Sequence, residues 1–238
     1  MSSPVSAPSV VRDVGVVIVA GGSGSRTESA ELKQFRWVAG RPMLLHSVQL
    51  FLMRPDVCML VAVIPKRYAG DPPPWLFQCD VERLLIGVGG NNRGASVRSG
   101  LDDLPAEARI VVIHDAARPL LMEDTVDAVI AAARAGTGAV AAIPVVDTLK
   151  RVGDDGRVIE TVERSGLWRA QTPQAFPRDM IDEVTRRANH EGVMATDDAA
   201  LCELYGYPVV TVPGTERAMK ITTEADFERA EVMSMLAK

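Results

Sequence analysis

Basic residues are short in this sequence: 26 lysines and arginines stand against 31 acids in 238 residues, a formal net charge of −5. Such a balance argues against nucleic acid as a partner, which asks for a basic face. A basic pocket for a phosphorylated ligand can still sit inside an acidic protein. Cysteine is scarce as well. Cys58, Cys79 and Cys202 lie far apart without C-x-x-C spacing, which excludes a disulfide framework or zinc pattern and leaves small buried thiols of a reducing compartment. No apolar run approaches the ~18 residues of a membrane span. The first residues, MSSPVSAP, have neither the basic nor the apolar region of a secretory leader. Residues 1–12 are therefore expected to be a disordered tail, residues 13–238 a single domain, and the compartment the cytoplasm.

What is present suits a globular protein, since hydrophobic residues make up 47% and charged residues 24%, enough to bury a substantial core. The stretch from Gly15 to Ala20 (GVVIVA) is a β-branched run of the kind that strands buried on both faces show. Further apolar strands are expected from Met59 to Ile64, Arg83 to Ile86, Arg109 to Ile113, Ala139 to Ile143 and Pro208 to Val212. Between them, helices are expected beyond Arg41-Pro42, from Ala95 to Leu101, Glu123 to Ala135, Arg178 to Ala188 and Asp197 to Leu204. A last helix starts near Thr223, where Thr223-x-x-Asp226 reads as a cap. Alternation of this kind predicts an α/β fold with a largely parallel sheet.

The rhythm breaks between Asp147 and Ala170. Two polar, β-prone segments flank Gly153-Asp154-Asp155-Gly156, and Asp-Gly between such segments signals a hairpin. The hairpin is too polar to bury both faces, so it is either an arm resting on a partner subunit or a plain surface insertion.

Three loops carry groups suited to phosphate chemistry. Gly21-Gly22-Ser23-Gly24-Ser25-Arg26 follows the first strand, and glycines there let backbone N–H groups approach a phosphate. Arg26 stands where a dinucleotide fingerprint wants its third glycine, and the Gly-Lys-Ser/Thr of a P-loop is missing. Arg26 and Lys33, seven residues on, instead suit a polyphosphate whose charge rises during transfer. Gly89-Gly90-Asn91-Asn92-Arg93-Gly94-Ala95-Ser96 again follows a strand; it reads equally as a helix cap or as a surface for a base and ribose. His114-Asp115-Ala116-Ala117-Arg118-Pro119 ends a buried strand, where ligands of open α/β sheets gather. Asp115 suits a divalent cation riding on phosphates, or a cap or ion pair with Arg118. His114 has no nucleophile nearby and reads as structural. Glu163 to Gln174, Thr196-Asp197-Asp198, which reads as a helix N-cap, and Met219-Lys220-Ile221-Thr222 are further polar clusters, none decisive alone.

In order and spacing, from about Val14 to Phe227, these segments resemble the 2-C-methyl-D-erythritol 4-phosphate cytidylyltransferase family. The resemblance rests on the Gly-rich loop with Arg26 and Lys33-Gln34, on Gly89-Gly90, Arg93, Ser96-Val97 and Gly100-Leu101, and on HDAARP at 114–119. It rests also on Asp147-Thr148-Leu149-Lys150, Arg164 to Leu167, Gln171-Thr172-Pro173-Gln174, Thr196-Asp197-Asp198-Ala199 and Lys220-Ile221-Thr222. It implies a Rossmann-like, mostly parallel seven-stranded sheet, a β-hairpin arm at about 147–170, and a homodimer. It implies CMP transfer from CTP to methylerythritol phosphate with Mg²⁺ accompanying CTP. Arg26 and Lys33 would meet charge at the α-phosphate. Ala20, Gly21, Gly22, Gly24, Gly90, Asn91, Ser96 and Asp115 would bind CTP, Asp115 also facing the metal. Thr148 and Arg164 of a partner's arm, with Arg118, Thr172 and Lys220, would hold the acceptor, and Arg164 and Lys220 would orient its phosphate. Gly21, Thr27 and Leu32 depart from the family pattern of Ala, Met and Pro. A ribitol 5-phosphate cytidylyltransferase is the neighbouring alternative and an inactive nucleotide-binding module a distant one. An oxidoreductase is contradicted by Arg26 and Lys33.

Overall fold

The computed structural model describes residues 10–22 and 32–236. Strand β1 (Val14–Val19) sends Val14, Val16 and Ile18 into one apolar layer and Val17 into the other. A tight hairpin of β2 (Trp37–Val38) and β3 (Arg41–Pro42) leads into helix α1 (Met43–Leu52). Strand β4 (Val57–Ile64), the short helix α2 (Lys66–Ala69), strand β5 (Leu84–Val88) and helix α3 (Arg93–Asp102) follow. Then come β6 (Ile110–Asp115), α4 (Glu123–Arg134) and β7 (Gly138–Pro144).

Beyond β7 the chain leaves the sheet as an antiparallel pair, β8 (Leu149–Val152) and β9 (Val158–Val162). Gly156 turns between them at φ +79, the Asp-Gly signal fulfilled. Strand β10 (Trp168–Pro177), helices α5 (Arg178–Glu191) and α6 (Asp198–Leu204), strand β11 (Val209–Pro213) and helix α7 (Glu224–Met235) complete the chain. The expected capping box at Thr223 and Asp226 opens α7.

Seven strands form one sheet in the order β11-β7-β10-β6-β1-β4-β5. All neighbours are parallel except β10, which runs antiparallel to both β6 and β7. Helices α1 and α4 cover one face through Leu44, Val48, Phe51, Val126 and Ile130. Helices α3, α5 and α6 cover the other through Val97, Leu101, Ile181, Val184 and Leu201. Burying a side chain such as Leu60 or Phe51 completely contributes roughly 2–3 kcal/mol.

Strand β10 is, with the short β2–β3 hairpin and α2, an element the sequence does not announce. It sits inside the sheet, yet its buried Gln171, Thr172 and Gln174 carry no apolar pattern. Each is admitted because its polar atoms are satisfied. Gln171 donates to the Thr215 carbonyl at 2.9 Å, and Gln174 donates to Asp197 at 2.8 Å while accepting from the Ala199 N–H at 2.9 Å. Pro173 has no N–H for the ladder, and the pairing register to β7 shifts between Ala170 and Gln174. Of the three thiols, only Cys202 is fully buried; Cys58 and Cys79 are half-buried, and none is bonded to another.

The β2–β3 turn holds Ala39 at φ 50 and Gly40 at φ 81. A left-handed residue with a Cβ is strained by roughly 1–2 kcal/mol, whereas asparagine tolerates this region. Ala39→Asn is expected to raise stability by about 0.5–1 kcal/mol, read as a higher midpoint in urea denaturation. An unchanged or lower midpoint would count against strain at this turn.

Candidate active site

Strand order reverses between β1 and β6, whose ends lie side by side with Val19 opposite Asp115. In a sheet of this kind, such a reversal opens a crevice beyond the carboxyl ends of the strands. The loop after β5 joins it from the far side of β4. Gly21 and Gly89 meet there so closely that a Cβ on Gly21 would stand 3.3 Å from the Gly89 Cα and 3.0 Å from the Ser96 hydroxyl. The crevice is a cavity of about 510 Å³.

The first loop is held open by Gln34. Its amide donates to the carbonyls of Ala20, at 2.7 Å, and Gly22, at 3.2 Å. In the second loop Asn92 caps α3, accepting from the Ala95 N–H at 2.8 Å. Ser96 donates to the Asn92 carbonyl and accepts from the Gly90 N–H. Helix cap and cavity wall are thus the same loop, since Gly90, Asn91 and Ser96 also line the cavity.

Asp115 ends β6 at the cavity wall and is almost completely buried. The ion pair considered with Arg118 does not form. Arg93 Nε donates to Asp115 Oδ1 at 3.3 Å and Lys220 Nζ to Oδ2 at 2.7 Å. Burial by itself would raise this carboxyl; Arg93 first, then Lys220, overcome burial and hold it well below the usual carboxylate range. Arg93 is in turn clamped by Asp198 at 2.7 Å. Burial, opposed by Arg93, leaves the Asp198 carboxyl raised. Neither Arg93 nor Asp198 is marked as a site residue by sequence alone, because they belong to loops read as helix caps. Asp197 does cap α6, as expected; Asp198 does not share that task.

Lys33 opens a short 3-10 turn, lines the cavity and donates to the Ile221 carbonyl at 2.8 Å. Lys220 and Thr222 line this cavity and also a second one of about 540 Å³. Arg118 forms part of the second wall, donating to the Ala218 carbonyl at 2.7 Å. Its Nε–H is buried without a partner among the described residues. Such a donor is costly, about 1–3 kcal/mol, unless a ligand supplies an acceptor.

Of the expected residues, Ala20, Gly21, Gly22, Lys33, Gly90, Asn91, Ser96, Asp115 and Lys220 are brought together. Gly24 and Arg26, with Thr27, lie outside the described residues. Thr148 and Arg164 sit on the exposed arm, and the Arg164 guanidinium donates to the Val146 carbonyl. Within this chain neither of them lines either cavity. Thr172 lines neither cavity within this chain. Its hydroxyl is buried in β10, accepting from the Asp115 N–H at 3.0 Å and facing His114 Nδ1 at 3.0 Å. It orders the Asp115 backbone rather than lining a cavity.

His114 is structural, as its surroundings in the sequence suggested. Its Nε2 faces the Arg118 carbonyl at 3.1 Å, an acceptor only, so Nε2 carries the proton and Nδ1 accepts from Thr172. Burial pushes the ring down from 6.5 to about 4. The unfolded chain then binds the proton more readily between those values, so stability is full above pH 6.5 and falls as pH drops toward 4. The loss approaches about 3 kcal/mol. His46, also lowered by burial, adds in the same direction. Urea denaturation at about pH 7, 5.5 and 4 should show a slope that is shallower in His114→Gln. Parallel slopes in the two proteins would remove His114 from this account.

Among the described residues no three His, Cys, Asp or Glu side chains gather as a metal site, and no helix is long and apolar enough to cross a membrane. Asp115 does place one ionised carboxylate at the cavity wall, and Mg²⁺ is usually held by one or two carboxylates plus a substrate's phosphates.

In sequence and fold the chain is similar to known proteins. The family model described as 2-C-methyl-D-erythritol 4-phosphate cytidylyltransferase matches residues 14–235. A protein of that name from Syntrophus aciditrophicus is 38% identical over 221 residues, 92% of this chain and 94% of its own. Another from Symbiobacterium thermophilum is 39% identical, covering 92% of both chains. The crystal structure of the Thermus thermophilus protein of the same name superposes with a TM-score of 0.78 at 32% identity, covering 94% of this chain and 99% of that one.

Proposed function

The chain belongs to the 2-C-methyl-D-erythritol 4-phosphate cytidylyltransferase family, and from that premise we propose that it transfers CMP from CTP to 2-C-methyl-D-erythritol 4-phosphate. The products are 4-diphosphocytidyl-2-C-methyl-D-erythritol and pyrophosphate, a step toward isoprenoid precursors. A phosphate oxygen of the acceptor attacks the α-phosphorus of CTP, and the bond to pyrophosphate breaks on the opposite side. No covalent enzyme intermediate is needed, so the protein's work is positioning and charge stabilisation.

The observation that carries this reading is the shared wall. Two cavities meet at Lys220 and Thr222, as a reaction between two phosphorylated substrates requires. CTP takes the crevice between Gly21 and Gly90, with Ala20, Gly22, Asn91 and Ser96 against base and ribose and Gly24 on the phosphates. Asp115 would lie beside the ribose and would hold the Mg²⁺ accompanying CTP, an ion that would supply charge neutralisation. Lys33, with Arg26, meets the charge that grows at the α-phosphate. Lys220 and Arg118 hold the acceptor's phosphate, and Arg118's unpartnered Nε–H has a natural acceptor there.

The arm supports a homodimer. Val152 is 52% exposed, Val158 60% and Ile159 66% on a two-stranded hairpin that stands apart from the main sheet. A second copy would cover them and bring Thr148 and Arg164 to the partner's acceptor cavity. The reading is of a cytoplasmic enzyme built as one nucleotidyltransferase domain over residues 13–238 with that arm.

Pyrophosphate release with CTP and Mg²⁺ tests the reaction, using methylerythritol 4-phosphate or ribitol 5-phosphate as acceptor. Release with ribitol phosphate alone sinks the acceptor; release with neither favours an inactive nucleotide-binding module. Mixing the inactive Arg164→Ala and Lys33→Ala chains should restore part of the activity through dimers carrying one intact site. No recovery would place the whole site in one chain.

A further inference from the structure

The two lysines assigned to the reaction are tied together by residues that belong to no phosphate-binding motif. Lys33 donates to the carbonyl of Ile221, and Lys220, the residue before it, donates to Asp115. Ile221 is fixed from behind. Its N–H reaches the Ala117 carbonyl at 2.8 Å, and its side chain is fully buried with Val38, Met43 and Phe227. Lys33 is therefore anchored on the same segment that carries Lys220.

A bidentate pair joins the turn that carries Lys33 to the helix that follows Lys220. Arg36 Nη1 and Nη2 reach Glu224 Oε1 and Oε2 at 2.5 and 2.8 Å. The guanidinium also stacks 3.9 Å over the ring of Phe227. A planar fork matched to a carboxylate and laid on an aromatic face fixes direction as well as distance. Arg36 is three residues beyond Lys33, and Glu224 is four beyond Lys220. Glu224 stands in the first turn of α7, where a carboxylate is favoured. The Ala39 N–H, donating to Glu231 at 2.7 Å, ties the same helix to the β2–β3 hairpin a second time.

With Glu224's side chain 63% exposed, such a pair adds little to folding stability. We infer that Arg36 and Glu224 are positioning residues whose clasp sets the spacing of Lys33 from Lys220. On the assignment of those lysines given above, it thereby aligns the reacting phosphates. The clasp holds the 3-10 turn against the start of α7, so that the charge at the α-phosphate and the attacking phosphate are met at a fixed separation.

The test is a double-mutant cycle on the full chain: Arg36→Met, Glu224→Gln and the two combined, with saturating CTP, Mg²⁺ and methylerythritol 4-phosphate. Each single variant should lose about tenfold in kcat, the scale expected of sub-ångström misplacement. KM for CTP and Tm should stay near the parent's, and the combined variant should be no slower than the slower single one. Unimpaired kcat in Glu224→Gln overturns the inference. Losses that multiply in the combined variant overturn it too, as does a loss that follows a fall in Tm and disappears on cooling the assay. Lys33→Ala run alongside separates the two readings. Full activity there removes Lys33 from the reaction, whereas an inactive Lys33→Ala beside an unimpaired Glu224→Gln removes only the clasp.

Discussion

Lys33→Ala is expected to lower kcat by about 10²–10³, the cost of removing one preorganised donor from developing charge, while CTP affinity falls far less. The asymmetry follows from where the charge appears. Ground-state CTP already has its negative charge spread along the triphosphate. The α-phosphorus acquires the attacking oxygen before the pyrophosphate has left, so the demand for a cation peaks in the transition state. Lys33 is held at the cavity by the Ile221 carbonyl, so little reorganisation is needed for it to act. Steady-state pyrophosphate release with separate CTP titration measures both quantities. A rise in KM with unchanged kcat would make Lys33 a uniform binding group instead.

Asp115→Asn should be the most damaging single change to the fold at this site. The carboxylate neutralises Arg93 and Lys220, and asparagine leaves them facing an amide that is uncharged. Breaking a buried ion pair by removing one partner costs about 3–5 kcal/mol. Arg93 keeps Asp198, and the Lys220 side chain is 44% exposed, so the lower end, about 3 kcal/mol, is expected. Because the Asp115 carboxyl is depressed in the folded state, the wild-type advantage is present at neutral pH. It is lost as pH falls below the ordinary carboxylate range near about 4. Urea midpoints of the two proteins should therefore converge under acid conditions. A constant gap down to about pH 3 would show that the lost interaction is not electrostatic.

Elements with a strong period were legible in the sequence. GVVIVA, MLVAVI and RIVVI became β1, β4 and β6 within a residue or two, and α4 and α5 followed their amphipathic stripes. Strand β10 was not legible, because Gln171 and Gln174 are buried by hydrogen bonds to residues 23 to 44 positions away and Thr172 by bonds to Asp115 and His114, 57 and 58 positions away, which no local pattern encodes. The site divides in the same way. Gly21, Gly90 and Asp115 stand at strand ends, where local sequence and sheet geometry agree. Arg93 and Asp198 meet across 105 residues, and each alone looks like part of a helix cap. Thr172 stands in a segment matching the family, and its hydroxyl meets the Asp115 backbone, a contact that a match of residue type does not foretell.

The late position of β10 also bears on how this chain is made. Strands β6 and β7 are synthesised well before the strand that separates them. Until Pro177 has left the ribosome, β6 presents to the cell one open row of backbone donors and acceptors, and β7, whose neighbours β10 and β11 both come later, presents two, templates for pairing with other chains. Nascent chains stalled before Trp168 should therefore be claimed by chaperones or lost to aggregation, whereas those released past Pro213, with β10 and β11 both made, can complete the sheet.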